Sequence, residues 1–323
     1  MEYVQLGRSG LKVSRLCLGT MNFGPKTTEE DSFAIMDKAH DLGINFFDTA
    51  NVYGWKTGEG ITEQIVGRWF AQGGGRREKT VIATKVYGKM GDWPNQSRLS
   101  ALSIRQAVEG SLKRLQTDYI DMYQMHHIDR NTPWEEIWQA METLVQQGKV
   151  LYVGSSNFAG WHIAKANEIA RSRNFMGLVS EQCLYNLKDR MAEMEVLPAC
   201  RDYGLAVIPW SPLASGLLGS SVGADKTGRR AEKDVKDDFK KYATQLDKYQ
   251  KFCKKKDEKP ADVALAWLLA NPVVTAPIIG PRTMEQLTGS LRALKIKFSK
   301  TDMEELDAIW PGPGGEVPEA FAW

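Results

Sequence analysis

Short apolar runs alternate with longer amphipathic segments along most of the chain. Eight of these runs have the length and composition of buried β-strands. They are RLCLG (15–19), INFFD (44–48), TVIAT (80–84), YIDMYQM (119–125), VLYVG (150–154), GLVSE (177–181), LAVIPW (205–210) and APIIG (276–280). Because the runs are nearly continuously apolar, we expect parallel strands that are buried on both faces.

Two segments between these runs show the clearest helical spacing. In TPWEEIWQAMETLVQQG (132–148), Thr132 is predicted to cap the helix, Pro133 to suit its first turn and Gly148 to end it. The segment LSALSIRQAVEGSLKRL (99–115) repeats the pattern. The apolar faces comprise Trp134, Ile137, Trp138, Met141, Leu144 and Val145 in the first segment and Ala101, Ile104, Val108, Leu112 and Leu115 in the second.

Eight strands that alternate with helices predict an α/β protein, a single (β/α)₈ TIM barrel over residues 1–323. We expect an N-terminal β-hairpin in VQLGRSGLKVS that closes the barrel floor, and a C-terminal tail whose aromatic residues pack on the barrel or wall a pocket. The long segment after strand seven, residues 212–259, is expected to form a partly helical flap over a ligand site. The alternative is a doubly wound open sheet, which would usually carry G-x-G-x-x-G after its first strand, whereas this chain reads LCLGTMNFGP.

Charge and cysteine content narrow the classes of function. The net charge of +2 predicts no broad attraction to nucleic acid or to a membrane, and the basic stretch at 240–259 is interpreted as a solvated helix face. Four scattered cysteines and an N-terminus without a signal-peptide pattern favour a cytoplasmic protein. A metal-dependent barrel hydrolase is disfavoured and no metal site is predicted, because there are only four histidines and no H-x-H after the first strand.

Polar residues at the ends of the predicted strands indicate chemistry. Asp48 ends the second strand, Lys85 follows the third, His126 follows the fourth, and Tyr53 lies in the loop after Asp48. Catalytic residues of such barrels come from the carboxyl ends of strands, and neighbouring strands bring these side chains together.

The four residue types suit the reduction of a carbonyl group. Asp48 can neutralise a partly desolvated Lys85, and the ammonium is expected to lower the pKa of Tyr53. Tyr53 would then act as a general acid toward a carbonyl oxygen, which a neutral His126 would orient. None of these side chains supplies a hydride, so the electrons must come from another molecule.

Ordered motifs along the whole chain resemble those of the aldo-keto reductases. They are GINFFDTANVYG, IATK, YIDMYQMHHID, GKVLYVGSSNF, EQCLYN, IPWSPLASGLL and IIGPRTMEQL. The last two are most similar to the branch that contains reductases like the potassium-channel β-subunits. The resemblance implies NADPH as cofactor and a small-molecule aldehyde or ketone as substrate. The alternative is an NADP(H)-binding regulatory or redox-sensing partner protein, and the oligomeric state is left open.

The resemblance also implies which residues contact the cofactor. Ser156, Asn157 and Gln182 would hold the nicotinamide amide, and Trp210 would stack on its ring. Ser211, Leu213, Gly216 and Leu218 would line the pyrophosphate, with Gly280, Arg282 and Gln286 at the adenosine end. Arg282 suits a 2′-phosphate and so favours NADPH over NADH.

One motif departs from the family pattern, and several aromatic residues flank the predicted site. Related chains usually read EQLEENL where this chain reads EQLTGSL, so Gly289 and Ser290 replace an adenine clamp and predict weaker or differently organised adenine binding. Loop aromatics predict an apolar or ring-binding substrate pocket. Its candidate residues are Phe23, Trp55, Tyr87 and Trp93.

Overall fold

A sheet of eight parallel strands dominates the computed structural model, which describes residues 1–54, 56–219 and 233–318. The strands are β3 Cys17–Gly19, β4 Phe46–Asp48, β5 Val81–Val86, β6 Ile120–Met125, β7 Val150–Ser156, β8 Leu178–Gln182, β9 Ala206–Val207 and β10 Ile278–Ile279. Each predicted run overlaps one of them, with β5, β7 and β8 extending one or two residues further, and they pair in the order β10-β3-β4-β5-β6-β7-β8-β9.

Backbone hydrogen bonds close this sheet into a ring. The Thr275 N–H donates to the Val207 oxygen and the Ile278 N–H to the Pro209 oxygen, both at 2.9 Å, which joins the last two strands. The (β/α)₈ barrel predicted from the sequence is therefore confirmed, and the open-sheet alternative is wrong.

Eleven α-helices lie in the part of the chain that the structure describes. They are α1 Glu29–Asp41, α2 Ile61–Phe70, α3 Ala101–Leu115, α4 Trp134–Gln146, α5 Gly160–Ser172, α6 Val196–Tyr203, α7 Lys233–Lys241, α8 Ala243–Lys255, α9 Pro260–Ala270, α10 Met284–Ser290 and α11 Lys300–Ile309. None of these described helices has both the length and the apolar character needed to cross a bilayer.

The two helices with the clearest spacing form as predicted, apart from one cap. Ser100 caps α3, because its hydroxyl accepts a hydrogen bond from the Ser103 N–H at 3.2 Å. The expected Thr132 cap of α4 is wrong. The Thr132 hydroxyl donates to Asp129 at 3.0 Å, and Pro133 occupies the N-cap position.

The N-terminal hairpin covers one end of the barrel, as predicted. Its strands, β1 Tyr3–Gln5 and β2 Lys12–Ser14, pair in antiparallel register. Leu6 and Val13 are fully buried in the same apolar cluster as Cys17, Phe46 and other barrel residues. The hairpin therefore closes the floor with apolar side chains.

The long segment after β9 is largely helical where the structure describes it. A 3₁₀ turn spans Ala214–Gly216, and α7 and α8 follow, whereas residues 220–232 lie outside the described part. The apolar face of α8, with Leu246, Tyr249, Phe252 and Cys253, is buried in the main core. Its other residues are largely exposed, which confirms the solvated face. That the segment covers a ligand site stays a prediction.

The C-terminal tail begins at a buried tryptophan. Trp310 is 3% exposed, and its ring centroid lies 5.8 Å from that of Tyr242 and 6.4 Å from that of Tyr249. The tail aromatics Phe321 and Trp323 lie outside the described residues. At least the first aromatic residue of the tail thus packs on the barrel.

Candidate active site

Three neighbouring strands bring the four predicted catalytic residues to one end of the barrel. Asp48 is the last residue of β4, Lys85 lies next to the end of β5, and His126 directly follows β6. Tyr53 lies five residues beyond Asp48 in the loop toward α2. The Tyr53 N–H donates to the Ala50 oxygen at 3.2 Å, and Gly54 follows with a φ of +140° that favours glycine. This turn carries the tyrosine back over the strand ends.

A buried ion pair lies at the centre of the site. Lys85 Nζ donates to Asp48 Oδ2 at 2.6 Å and to the Thr49 carbonyl oxygen at 2.8 Å. The Lys85 side chain is 0% exposed and that of Asp48 4% exposed. Burial acts to lower the pKa of Lys85, but Asp48 and Tyr53 together outweigh it and raise that pKa. Lys85 is therefore an ammonium at neutral pH.

The Tyr53 hydroxyl completes the ammonium's set of acceptors. Lys85 Nζ donates to Tyr53 Oη at 3.0 Å and lies 4.7 Å from the ring centroid. Burial raises the pKa of Tyr53 by more than the Lys85 ammonium lowers it. The expectation that Lys85 brings this pKa below its ordinary value is therefore wrong, because the hydroxyl is desolvated together with the lysine.

His126 stands beside the tyrosine and is uncharged. The two ring centroids are 6.0 Å apart in an edge-to-face arrangement. Burial, with a smaller effect of the Lys85 ammonium, lowers the pKa of His126 to about 2. A neutral imidazole at this place can donate one N–H to an oxygen atom held above Tyr53.

Gln124 belongs to this group of residues, although it was not among the predicted ones. It is fully buried, and its Nε2 donates to Asp48 Oδ1 at 3.0 Å. Gln182 Nε2 donates to the same oxygen at 2.7 Å. A signal was present in the sequence, since Gln124 precedes His126 by two residues and so shares its face of β6. The two amides hold the carboxylate that pairs with Lys85.

The residues that the resemblance assigns to the nicotinamide amide lie at the ends of β7 and β8. Ser156 Oγ donates to the Gln182 carbonyl oxygen at 2.8 Å, and Asn157 Nδ2 donates to the His126 carbonyl oxygen at 3.1 Å. Trp210 Nε1 donates to Asn157 Oδ1 at 3.0 Å. Among the described residues, none donates a hydrogen bond to Gln182 Oε1. A hydroxyl, two amides and this free acceptor fit the donors and acceptors of a primary carboxamide.

The residues expected along the pyrophosphate follow Trp210 in an irregular turn. Ser211 has a φ of +54° and Gly216 a φ of +96°. The Ser211 hydroxyl accepts from the Ser215 N–H at 3.2 Å. Leu213 is half-buried against the core, whereas Leu218 is fully buried within it. Leu218 therefore offers packing, and the backbone N–H groups of residues 214–219 are all hydrogen-bonded within the turn.

The residues expected at the adenosine end surround the start of α10. The Gly280 carbonyl oxygen accepts from Asn22 Nδ2 at 2.9 Å. Gln286 Oε1 accepts from the Arg282 N–H at 2.8 Å, so this amide oxygen is engaged within the turn. A Cβ at Gly289 would meet nothing within 4 Å, and the Ser290 hydroxyl donates to the Gln286 carbonyl oxygen. Open space thus lies beside Gly289, where the resemblance led us to expect a glutamate.

The four predicted pocket residues have different environments. Phe23 is fully buried in the main core, which leaves no surface for a substrate. Tyr87 is half-buried, and its ring lies 5.4 Å from that of His127, next to His126. Trp93 is 78% exposed, and Trp55 lies outside the described residues. Of the four, Tyr87 has the best-supported position beside the site.

Acidic, cysteine and histidine side chains do not form a metal-binding group within the described ranges, since no three of them are suitably placed.

The sequence is similar to those of several known proteins. The model of the Aldo/keto reductase family matches residues 15–311. An uncharacterized oxidoreductase of Bacillus subtilis (strain 168), YrpG, is 60% identical over 100% of both chains. A versiconal hemiacetal acetate reductase of Aspergillus parasiticus is 33% identical over 97% of this chain and 99% of its own. A probable voltage-gated potassium channel subunit beta of Oryza sativa subsp. japonica is 34% identical over 92% of each chain.

Proposed function

Because the chain belongs to the aldo/keto reductase family, and so is an oxidoreductase, we propose that it reduces an aldehyde or ketone to an alcohol with NADPH and Tyr53 as general acid. The observation that carries the proposal is the 3.0 Å contact between the Tyr53 hydroxyl and the buried Lys85 ammonium. That contact stabilises negative charge on the phenol oxygen at the moment when a proton leaves it.

The proton states of the site support this assignment. Burial raises the pKa of Tyr53, so the hydroxyl keeps its proton at neutral pH and has one to give. Neutral His126 donates a hydrogen bond to the carbonyl oxygen and directs it toward Tyr53. As the proton transfers, Lys85 stabilises the resulting phenolate while Asp48 keeps Lys85 charged.

Residues at the neighbouring strand ends would hold the cofactor. Ser156, Asn157 and Gln182 bind the carboxamide, Trp210 packs on the ring, and bound NADPH supplies the hydride. Arg282, before α10, favours NADPH over NADH through its charge.

Two further properties belong to the same proposal. Tyr87, His127 and the exposed Trp93 favour carbonyl substrates with an apolar or aromatic group. All four cysteines are free and buried, which fits a reducing cytoplasm as the location.

A comparison of Tyr53→Phe with Tyr3→Phe tests the function. Tyr3 donates its hydroxyl to the Gly43 carbonyl oxygen on the barrel floor, so its change leaves the proposed site intact. NADPH oxidation is followed across aliphatic, aromatic and dicarbonyl substrates, and NADPH binding is followed by tryptophan fluorescence. Tyr53→Phe is expected to lower kcat by about 10²- to 10⁴-fold with unchanged NADPH affinity.

The outcomes separate the proposal from its alternative. Substantial activity in Tyr53→Phe would exclude Tyr53 as the proton donor. If wild type binds NADPH but turns over none of the carbonyls, a regulatory or redox-sensing protein is favoured instead.

A further inference from the structure

One fully buried carboxyl group lies beside the site without a part in the proposed reaction. Glu181 precedes Gln182 on β8 and is 0% exposed. Since side chains alternate along a strand, Gln182 reaches Asp48 while Glu181 points to the opposite face. Burying a carboxyl group is costly unless its oxygens are hydrogen-bonded.

Both carboxyl oxygens contact the turn that carries the nicotinamide-binding residues. Glu181 Oε2 lies 2.5 Å from Ser155 Oγ, and Glu181 Oε1 accepts from the Phe158 N–H at 3.0 Å. Ser155 and Phe158 are the residues on either side of Ser156 and Asn157. The carboxyl group therefore spans this turn and holds both its ends.

The turn has a defined backbone conformation at its centre. Asn157 has a φ of +61°, in the left-handed region that asparagine adopts more readily than most residues other than glycine. The Asn157 N–H donates to the Gln182 carbonyl oxygen at 3.0 Å. Its side chain contacts the His126 carbonyl oxygen and the Trp210 indole N–H. A shift of Asn157 would thus alter its hydrogen bonds to both His126 and Trp210.

We propose that Glu181 is the positioning residue of this turn: its carboxyl group, bonded to Ser155 on one side and to the Phe158 N–H on the other, holds Ser156 and Asn157 in the geometry that binds the nicotinamide amide. The inference rests on the proposed use of a nicotinamide cofactor. It assigns no chemical step to Glu181.

The surroundings of Glu181 favour the uncharged form. Among the described residues it has no ion-pair partner. The groups that face it are the Ser155 hydroxyl on β7, the turn amides, and the Cys183 and Cys200 thiols, with Cys200 on α6. His162 on α5 stands behind Phe158, with ring centroids 6.0 Å apart. Burial raises the pKa of Glu181 to about 8, against the smaller opposing effect of its hydrogen bonds.

An uncharged carboxyl group has the shape and polarity of a primary carboxamide. Glutamine at this position can therefore bond both ends of the turn, whereas an apolar side chain of similar length leaves the Ser155 hydroxyl and the Phe158 N–H without this partner. If only the held form of the turn binds cofactor, loss of the two contacts raises the apparent dissociation constant for NADPH about tenfold.

The first experiment measures NADPH affinity by tryptophan fluorescence at pH 7. Glu181→Gln keeps an acceptor for the Phe158 N–H, so it is expected to bind like wild type. Glu181→Met loses the acceptor and is expected to bind about tenfold more weakly. Glu109→Gln, an exposed residue paired with Lys149, is the control and should follow wild type. Equal affinity of Glu181→Met and wild type would overturn the inference.

The second experiment needs no cofactor and separates the two proposals. Hydrogen exchange of a peptide over residues 155–160 is compared at pH 7 among wild type, Glu181→Gln and Glu181→Met. Wild type and Glu181→Gln are expected to keep protection of this turn and Glu181→Met to lose it. Equal protection in all three proteins overturns the positioning role. Failure of wild type to bind NADPH at pH 7 instead refutes the proposed function, and the exchange result still decides on Glu181.

Discussion

Removing the ammonium of the buried ion pair tests the electrostatics of the site directly. Lys85→Met keeps the length of the side chain but takes a donor from Asp48, the Thr49 carbonyl oxygen and Tyr53. At the 2.6 Å separation of Lys85 Nζ and Asp48 Oδ2, an effective dielectric constant of about 20 gives a gross attraction of about 6 kcal/mol. Gln124 and Gln182 still donate to Asp48, so the expected loss in the free energy of unfolding is about 3–5 kcal/mol.

A double-mutant cycle shows whether this loss comes from the unpaired charge. Asp48→Asn alone leaves a buried ammonium without its carboxylate and should also destabilise the protein. The double variant Asp48→Asn/Lys85→Met contains neither charge, so it should lose about 2–3 kcal/mol less than the sum of the single variants. Equilibrium urea unfolding followed by tryptophan fluorescence measures all three free energies.

Lys89→Met is the matched control for this cycle. Lys89 also pairs with an aspartate, Asp92, at 2.6 Å, but the two side chains are 61% and 95% exposed. Water screens such a pair, so no measurable change in the free energy of unfolding is expected. The reasoning is refuted if Lys85→Met costs no more than Lys89→Met, or if the two single losses simply add.

Two further substitutions test other parts of the structure. Gly289→Glu with Ser290→Asn places side chains in open space near the adenosine end and should tighten NADPH binding about three- to tenfold. Titration with NADPH measures this affinity. Unchanged affinity would show that these positions do not reach the adenine. In Gly67→Ala the new methyl group would overlap the Arg114 carbonyl oxygen where α2 packs on α3, with an expected loss of about 1–3 kcal/mol in the free energy of unfolding. Gly110→Ala in α3 meets only the flexible end of Arg114, so this control should match or exceed wild-type stability, and equal losses in both variants would contradict the packing argument.

The barrel and the placement of its polar strand ends followed from local patterns. All eight apolar runs overlap barrel strands, because a strand buried on both faces needs nearly continuous apolar residues. Asp48, Lys85 and His126 then had to converge, since the carboxyl ends of neighbouring parallel strands share one end of the barrel. The error at the start of α4 is equally local, because the Thr132 hydroxyl bonds Asp129, three residues before it, instead of a helix amide.

Only the tertiary structure determines the protonation state and the hydrogen-bond partners of each side chain in the site. Lys85 was expected to lower the pKa of Tyr53, but burial of the hydroxyl outweighs the ammonium. Gln124 and Glu181 resembled ordinary strand residues until the structure showed one bonded to Asp48 and the other to the turn at Asn157. Hydrophobic periodicity is a property of neighbours in the chain, so the sequence alone reveals strands and their ends. Desolvation and hydrogen bonding depend on atoms that come from remote segments, so only the folded barrel sets the proton on each group.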